Sequence, residues 1–194
     1  MSKWIILSDN HKETGILYHI YELHKDADKF LHLGDSEFSY NDTELSLYQR
    51  VKGNCDFYPE FLEEAITEEN GVRAFYTHGH LYQVNQTRMK LAEKAKELGC
   101  LFAFYGHTHV AKYEQIGGIH VINPGSISQS FSHYFTLQGN CLDFFFPKYP
   151  TPNEIATLQI YCISLYVLYV YLWFTPKIST IYFTHIRNNV CSLS

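Results

Sequence analysis

Cysteine is scarce in this sequence and never closely paired. The five cysteines are odd in number and lie far apart, without a C-x-x-C pair, which argues against a zinc knuckle or a dithiol redox motif. Positive charge is also scarce: with a net charge of -5, the chain lacks the basic excess that binds nucleic-acid backbones. The N-terminus has no apolar run of signal-peptide length. We therefore expect a cytoplasmic protein that has no nucleic-acid polymer as its partner.

Apolar residues, in contrast, are plentiful: 46% of the 194 residues are hydrophobic, enough for the core of one domain. Through residue 140, short β-type runs alternate with helical patterns, as in α/β domains. The predicted strands are 3–8, 29–33, 51–53, 64–68, 72–77, 101–105, 112–116 and 119–122. The predicted helices are 14–25, 45–50 and 88–98.

Two short signals predict how these elements turn. Asn70-Gly71 supplies the two positive-φ residues of a tight hairpin, so strands 64–68 and 72–77 are predicted to be antiparallel neighbours. Gly99 follows helix 88–98, where a residue without Cβ readily adopts the left-handed cap conformation.

Five islands of acids, amides and imidazoles directly follow predicted strands. They are Asp9-Asn10-His11, Gly34-Asp35, Gly53-Asn54-Cys55-Asp56, His78-Gly79-His80 and Gly106-His107-Thr108-His109. Ligands of open α/β sheets bind beyond the carboxyl ends of the strands, so the islands are expected to converge. In D-x-H and H-x-H, the period of two puts both side chains on one side of an extended segment. Carboxylate, amide and imidazole without thiolate indicate an open, catalytic site for Mn, Fe, Zn or Mg.

Each island also has a structural interpretation. Gly-Asp and Gly-Asn are common turn dipeptides, and Asp9-Asn10-His11 could cap a helix that begins near Thr14. His78 and His80 could be hydrogen-bonded sheet residues, and the island at 106–109 could be half of a structural zinc site. The occurrence of all five islands after strands is what favours one shared site.

In this order, and followed by Asn123-Pro124-Gly125-Ser126, the islands resemble those of the calcineurin-like metallophosphoesterases. The GNCD island and the short chain resemble the small bacterial YfcE-like phosphodiesterases. The resemblance covers residues 3 to about 129. It implies an α/β fold: a four-layer α/β/β/α sandwich of two mixed β-sheets, with a binuclear metal site at one end of the strands.

The resemblance also implies a ligand set for two divalent ions. Mn²⁺ is the expected ion, with Zn²⁺, Fe²⁺, Ni²⁺ or Mg²⁺ as alternatives, and Asp35 is expected to bridge the pair. The ligands implied are Asp9, His11, Asp35 and His109 for the first ion and Asp35, Asn54, His78 and His107 for the second. Two such ions activate a shared hydroxide and neutralise phosphoryl oxygens. The implied reaction is in-line attack of that hydroxide on a small phosphodiester.

Catalytic roles beyond ligation are expected of three residues, Asp35, Asn54 and His80. Larger relatives carry a histidine at the position of Cys55, where it is proposed to protonate the leaving alkoxide. A thiol is less suited to this task, so an activated or aryl leaving group is expected to react more easily. His80 is the candidate substitute for that histidine.

The last 54 residues have a different composition, with five charged residues against 30 in the first 140. We therefore predict a metallophosphoesterase domain at 1–138 and an atypical aromatic-rich tail at 139–194, without the two strands that close the fold in relatives. The leading explanation is an altered reading frame. A second is a membrane anchor at 155–174, a charge-free run about 30 Å long as a helix. A third is replacement strands at 144–146 and 178–184, on a surface prone to homo-oligomerisation.

Two other functions stay open beside the phosphodiesterase. One is a non-catalytic, protein-binding scaffold of the same fold, as in the related retromer subunit. The other is a catalytically impaired product with a disrupted C-terminus. The intact ligand set argues against the scaffold, because a docking surface has no need of a bridging aspartate.

Overall fold

The computed structural model describes residues 3–128 and the backbone of four later strands. The strands are β1 (Lys3–Leu7), β2 (Lys29–His32), β3 (Gln49–Arg50), β4 (Glu64–Glu69), β5 (Val72–Thr77), β6 (Phe102–Phe104), β7 (Lys112–Ile116), β8 (Ile119–Asn123), β9 (Tyr134–Gln138), β10 (Cys141–Phe145), β11 (Thr157–Ile163) and β12 (Val167–Tyr169). The helices are α1 (Ile16–Leu23) and α2 (Met89–Glu97), with 3-10 turns at Leu45–Leu47 and His80–Tyr82.

The described strands form two mixed sheets. The first has the order β12-β11-β10-β9-β1-β2-β3, and the second β4-β5-β6-β8-β7. Strands β1, β2 and β3 are parallel to one another, as are β5, β6 and β8. Each parallel set therefore presents its carboxyl ends at one edge of its sheet, where the islands begin.

The side-chain alternation of β1 shows how the layers are built. Trp4 and Ile6 pack between the two sheets, whereas Ile5 and Leu7 pack on the other face against α1. On the outer face of the second sheet, Leu91 of α2 packs in a separate cluster. The result is helix, sheet, sheet, helix, which confirms the predicted four-layer α/β/β/α sandwich.

Local signals predicted the second sheet well and the region before Asn54 less well. Strands β4 and β5 are antiparallel neighbours, with φ of 51° at Asn70 and 78° at Gly71, and Gly99 has φ of 68°. The helix expected at 45–50 is only the turn Leu45–Leu47. The third strand is Gln49–Arg50 rather than 51–53, because it is Gln49 and Arg50 that pair with β2.

The expectation that the closing strands are missing is wrong. Strand β9 pairs antiparallel with β1, from Lys3↔Gln138 to Ile6↔Phe135, and β10 continues the first sheet beyond it. The pairing partner of β9 is more than 100 residues away in sequence, so local alternation does not reveal it. This edge of the first sheet is thus extended by four strands.

The structure describes only part of the segments on which the membrane-anchor and replacement-strand hypotheses depend. Strands β11 and β12 lie inside the 155–174 run, so those parts of it are strands and not a helix; the rest of the run lies outside the described residues. Of the two replacement segments, 144–145 belongs to β10, which pairs with β9 and β11, and 178–184 lies outside the described residues. In the described part of the chain, no helix is long and apolar enough to cross a membrane.

Candidate metal centre

The first two islands are joined by backbone hydrogen bonds that continue the β1–β2 pairing. Asp9 N donates to Gly34 O at 3.1 Å and His11 N to Asp35 O at 3.1 Å. The φ angles of Asp9, His11 and Asp35 are 60°, 43° and 54°, a region that costs non-glycine residues energy and that is concentrated at functional sites. The chain thereby turns the Asp9 carboxylate toward Asp35 and His78, and the His11 ring toward His109.

Asp56, the last residue of the GNCD island, ties the loop after β2 to the loop after β3. Its buried carboxylate accepts hydrogen bonds from Gly53 N (2.7 Å), Asp35 N (2.9 Å), Ser36 Oγ (3.0 Å) and Glu37 N (2.7 Å). Asp56 was not predicted from the sequence to have a role of its own. Its contacts make it the residue that sets the distance between Asp35 and Asn54.

All seven predicted ligands come together in two adjacent groups. In the first, His109 Nε2 lies 3.2 Å from Asp9 Oδ1 and 3.2 Å from His11 Nε2. In the second, Asn54 Oδ1 lies 3.1 Å from His78 Nε2 and 2.8 Å from His107 Nδ1. His78 Nε2 is also 3.3 Å from Asp35 Oδ2, so Asp35 belongs to the second group.

The two groups meet at a pair of buried carboxylates. Oxygen and nitrogen atoms of Asp9, Asp35 and His78 lie within 4.8 Å of one another, as do those of Asp9, His11 and His109. Asp9 is therefore the residue that these distances place in both clusters. The bridging role that the resemblance assigns to Asp35 stays a prediction.

The surroundings of these residues fit a divalent cation. Both carboxylate oxygens of Asp9 are buried; Oδ2 has no hydrogen-bond partner among the described residues, and Oδ1 lies 3.2 Å from His109 Nε2. A buried carboxylate with so few partners is costly unless a cation binds it. Glycines keep the space open: a Cβ on Gly106 would lie 2.9 Å from Asp9 Oδ2, and one on Gly53 would lie 2.0 Å from Asp35 Oδ1.

Neighbouring carboxylates raise the pKa of two of the histidines. Burial opposes the charge of His78, but its hydrogen bond with Asp35 raises the pKa of the imidazole. For His109, the hydrogen bond with Asp9 is the main cause of a raised pKa. Burial, and then the charge of His78, lower the pKa of His107. A bound divalent ion takes the place of a proton on a ligating histidine, so metal binding at this site is expected to release protons.

His80 and Cys55 flank the ligands. The His80 ring is 5.5 Å from that of His78, its Nδ1 is buried without a hydrogen-bond partner among the described residues, and burial lowers its pKa. The backbone N–H of Cys55 donates to Asp35 Oδ1 at 2.7 Å. Burial and then the Asp35 carboxylate raise the pKa of the Cys55 thiol to about 11, which keeps the thiol protonated at neutral pH.

The end of β8 and the residues that follow it form hydrogen bonds with the loops of the site. Asn123 Nδ2 donates to Gly106 O at 2.7 Å and to Thr108 Oγ1 at 3.0 Å, which holds the loop of His107 and His109. Ser126 Oγ donates to Asp9 O at 2.9 Å. The Asn-Pro-Gly-Ser segment therefore connects the two sheets at the site.

Three further residues, for which no role was predicted from the sequence, contact the islands. His32 accepts the Gly34 N–H at Nδ1 (3.1 Å), which leaves Nε2–H to donate to Asn10 Oδ1 (2.9 Å). Asn85 contacts His107 Nε2 at 3.1 Å, and Glu37 contacts His11 Nδ1 at 2.9 Å. Their signal in the sequence is weak: Glu37 and Asn85 act from loop positions without periodicity, and His32, the last residue of β2, has the pattern of an ordinary buried strand residue.

Comparison with known proteins decides the family. The model of the calcineurin-like phosphoesterase superfamily domain matches residues 3–138 of this chain. The chain belongs to that superfamily. The probable metallophosphoesterase YsnB of Bacillus subtilis is 38% identical over 124 residues, which is 63% of this chain and 73% of YsnB. This membership indicates a site for divalent metals and the phosphoester hydrolases as the class of protein.

Solved structures agree with this phosphoesterase fold. A predicted phosphoesterase from Streptococcus pneumoniae is 28% identical, with a TM-score of 0.68 over 81% of this chain and 97% of that one. E. coli YfcE, a phosphoesterase, shares the fold at 23% identity and a TM-score of 0.57, covering 79% of this chain and 96% of its own. Vps29 from Entamoeba histolytica, complexed with Zn²⁺, shares it at 18% identity and a TM-score of 0.64, covering 81% and 98%.

Proposed function

We propose that this chain is a metal-dependent phosphodiesterase that hydrolyses small phosphodiesters at a binuclear centre. The observation that carries the proposal is the arrangement of two ligand groups around the buried Asp9 and Asp35 carboxylates. Two divalent ions at this centre, Mn²⁺ in the first place, would supply an activated bridging hydroxide for in-line attack and would neutralise the phosphoryl oxygens.

The residues of the chain supply the placement. Asp9, His11 and His109 would provide three donor atoms for one ion, and Asn54, His78 and His107 three for the other; Asp35, 3.3 Å from His78 Nε2, would bridge the two ions. The Asn54 amide oxygen lies beside nitrogens of both His78 and His107. The second group therefore has its three donor atoms together only when this oxygen faces the two rings. The loops that carry these residues are joined by the hydrogen bonds of Asp56, Asn123 and Ser126, which orient the groups that would react.

The centre differs from those of the larger relatives in the residue that would protonate the leaving group. A protonated thiol at Cys55 replaces the histidine expected to donate a proton there. His80 lies beside the second group and is the remaining candidate proton donor. We therefore expect good leaving groups, such as aryl oxides, to be released faster than alkoxides.

Hydrolysis of bis(p-nitrophenyl) phosphate by the purified chain, with Mn²⁺ or EDTA, tests the proposal. Mn²⁺-dependent turnover that Asp35→Asn and His109→Ala abolish is the expected result. A matched control is His24→Gln, which changes a histidine that follows α1 and lies outside both ligand groups. A folded, Mn²⁺-loaded chain without turnover would contradict the phosphodiesterase and favour the scaffold.

A further inference from the structure

Both ring nitrogens of His11 have neighbours. Nε2 lies 3.2 Å from His109 Nε2 and 3.9 Å from Asp9 Oδ1, so it faces the first ligand group. Nδ1, on the other side of the ring, lies 2.9 Å from Glu37 Oε1. An ionised carboxylate only accepts hydrogen bonds, so Nδ1 carries the proton and the lone pair of Nε2 points toward the ion site.

We propose that Glu37 is a positioning residue: its carboxylate fixes the tautomer and ring orientation of His11 and thereby strengthens binding of the first divalent ion. The proposal rests on the metal centre described under the proposed function, and not on the identity of the substrate. Carboxylates that receive the outer N–H of a ligating histidine also raise its basicity as a ligand.

Glu37 is itself held in one orientation. Its backbone N–H donates to Asp56 Oδ1 at 2.7 Å, and its second carboxylate oxygen, Oε2, lies 3.0 Å from Lys12 Nζ. Its φ of 55° is unfavourable for a residue with a side chain and is maintained by the Asp56 contact. The Lys12 contact is a surface ion pair that stabilises little, whereas the fixed backbone and the 20% exposure of its side chain leave Glu37 little freedom to lose when it orients His11.

An alternative arrangement uses the same atoms as an ion site. Glu37, His11 and Cys55 bring ligand atoms within 4.8 Å of one another. An ion there would need His11 Nδ1 as a ligand, and this nitrogen would have to lose its proton while Nε2 binds the first ion. The Glu37 carboxylate contact satisfies Nδ1 without that loss, which favours positioning over ligation.

The test is calorimetric titration of the metal-free full chain with Mn²⁺. We expect two ions in the wild type, and in Glu37→Ala about 10- to 100-fold weaker binding of one ion with the other unchanged. Glu37→Gln should lose less, because its amide oxygen still accepts the His11 N–H. Lys12→Ala is the matched control: it removes the contact to Oε2 and leaves the His11 contact, so it should bind both ions almost as the wild type does. Thermal unfolding in EDTA checks that the variants are folded.

Several results would overturn the proposal. Unchanged affinities in a folded Glu37→Ala variant would show that His11 does not depend on this contact. An equal loss in Lys12→Ala would assign the effect to surface charge. Loss of one whole ion in both Glu37→Ala and Cys55→Ser would identify an ion held by Glu37 itself. A wild-type chain that binds no Mn²⁺ would contradict the metal centre, and this proposal with it.

Discussion

Asp56→Asn is the substitution whose cost can be worked out most directly from the contacts. Each oxygen of the buried carboxylate accepts two hydrogen bonds, all between 2.7 and 3.0 Å. The asparagine amide keeps one oxygen and replaces the other by an NH₂ group, so two donors lose their acceptor. A buried donor without an acceptor costs about 1–3 kcal/mol, which predicts a loss of about 2–6 kcal/mol in the free energy of unfolding.

The assay is urea denaturation in EDTA, where bound metal does not contribute to stability. Asp42→Asn is a matched control, because Asp42 Oδ1 accepts Glu44 N and Leu45 N in a half-buried turn and the amide oxygen can do the same. We expect this control to lose less than about 1 kcal/mol. If Asp56→Asn loses no more than the control, the carboxylate does not hold the two loops together and the reasoning is refuted.

Three other predictions concern the site and its supports. Burial lowers the pKa of His32 from 6.5 to about 4. Between these two values the unfolded chain binds a proton that the folded protein does not, so the free energy of unfolding is highest above pH 6.5 and falls as the pH drops toward 4. The metal-free wild type should therefore lose up to about 3 kcal/mol of its free energy of unfolding over that pH range. In His32→Gln the urea midpoint should change less with pH; equal slopes in the two proteins would contradict this. Methyl p-nitrophenyl phosphate can lose either methanol or p-nitrophenol, and product analysis separates the two reactions. His80→Gln should slow the release of methanol more than the release of p-nitrophenol; equal slowing of both would exclude proton donation by His80. A Cβ on Gly106 would lie 2.1 Å from Ser8 Oγ, so Gly106→Ala should lose Mn²⁺ binding in calorimetry, whereas Gly117→Ala, with open space around it, should retain it.

The sequence predicted the convergence of the islands better than the contacts that support them. The side chains of Asp9, Asp35 and His78 meet at the strand ends as expected, because the period of two and the parallel order of the strands suffice to bring islands together. The supports, Glu37 and Asp56, act from loop residues whose contacts depend on positive φ angles. No hydrophobic period reports such angles.

The same limit explains why one strand pairing in the second sheet was predictable and one in the first sheet was not. The β4–β5 hairpin was predictable because Asn70-Gly71 is a local signal. Strand β9, at 134–138, was not, because its pairing with β1 joins residues far apart in sequence and its own alternation is weak. Long-range pairing of this kind is decided by the completed sheet rather than by the segment alone.

The central claim is that this chain binds two divalent ions, one at each ligand group. Diffraction from Mn²⁺-soaked crystals, recorded where manganese scatters anomalously, tests it most directly. The account predicts two anomalous peaks, one bounded by Asp9, His11 and His109 and the other by Asn54, His78 and His107, with Asp35 between them. A crystal saturated with Mn²⁺ that shows one anomalous peak, or anomalous peaks away from these residues, would contradict it.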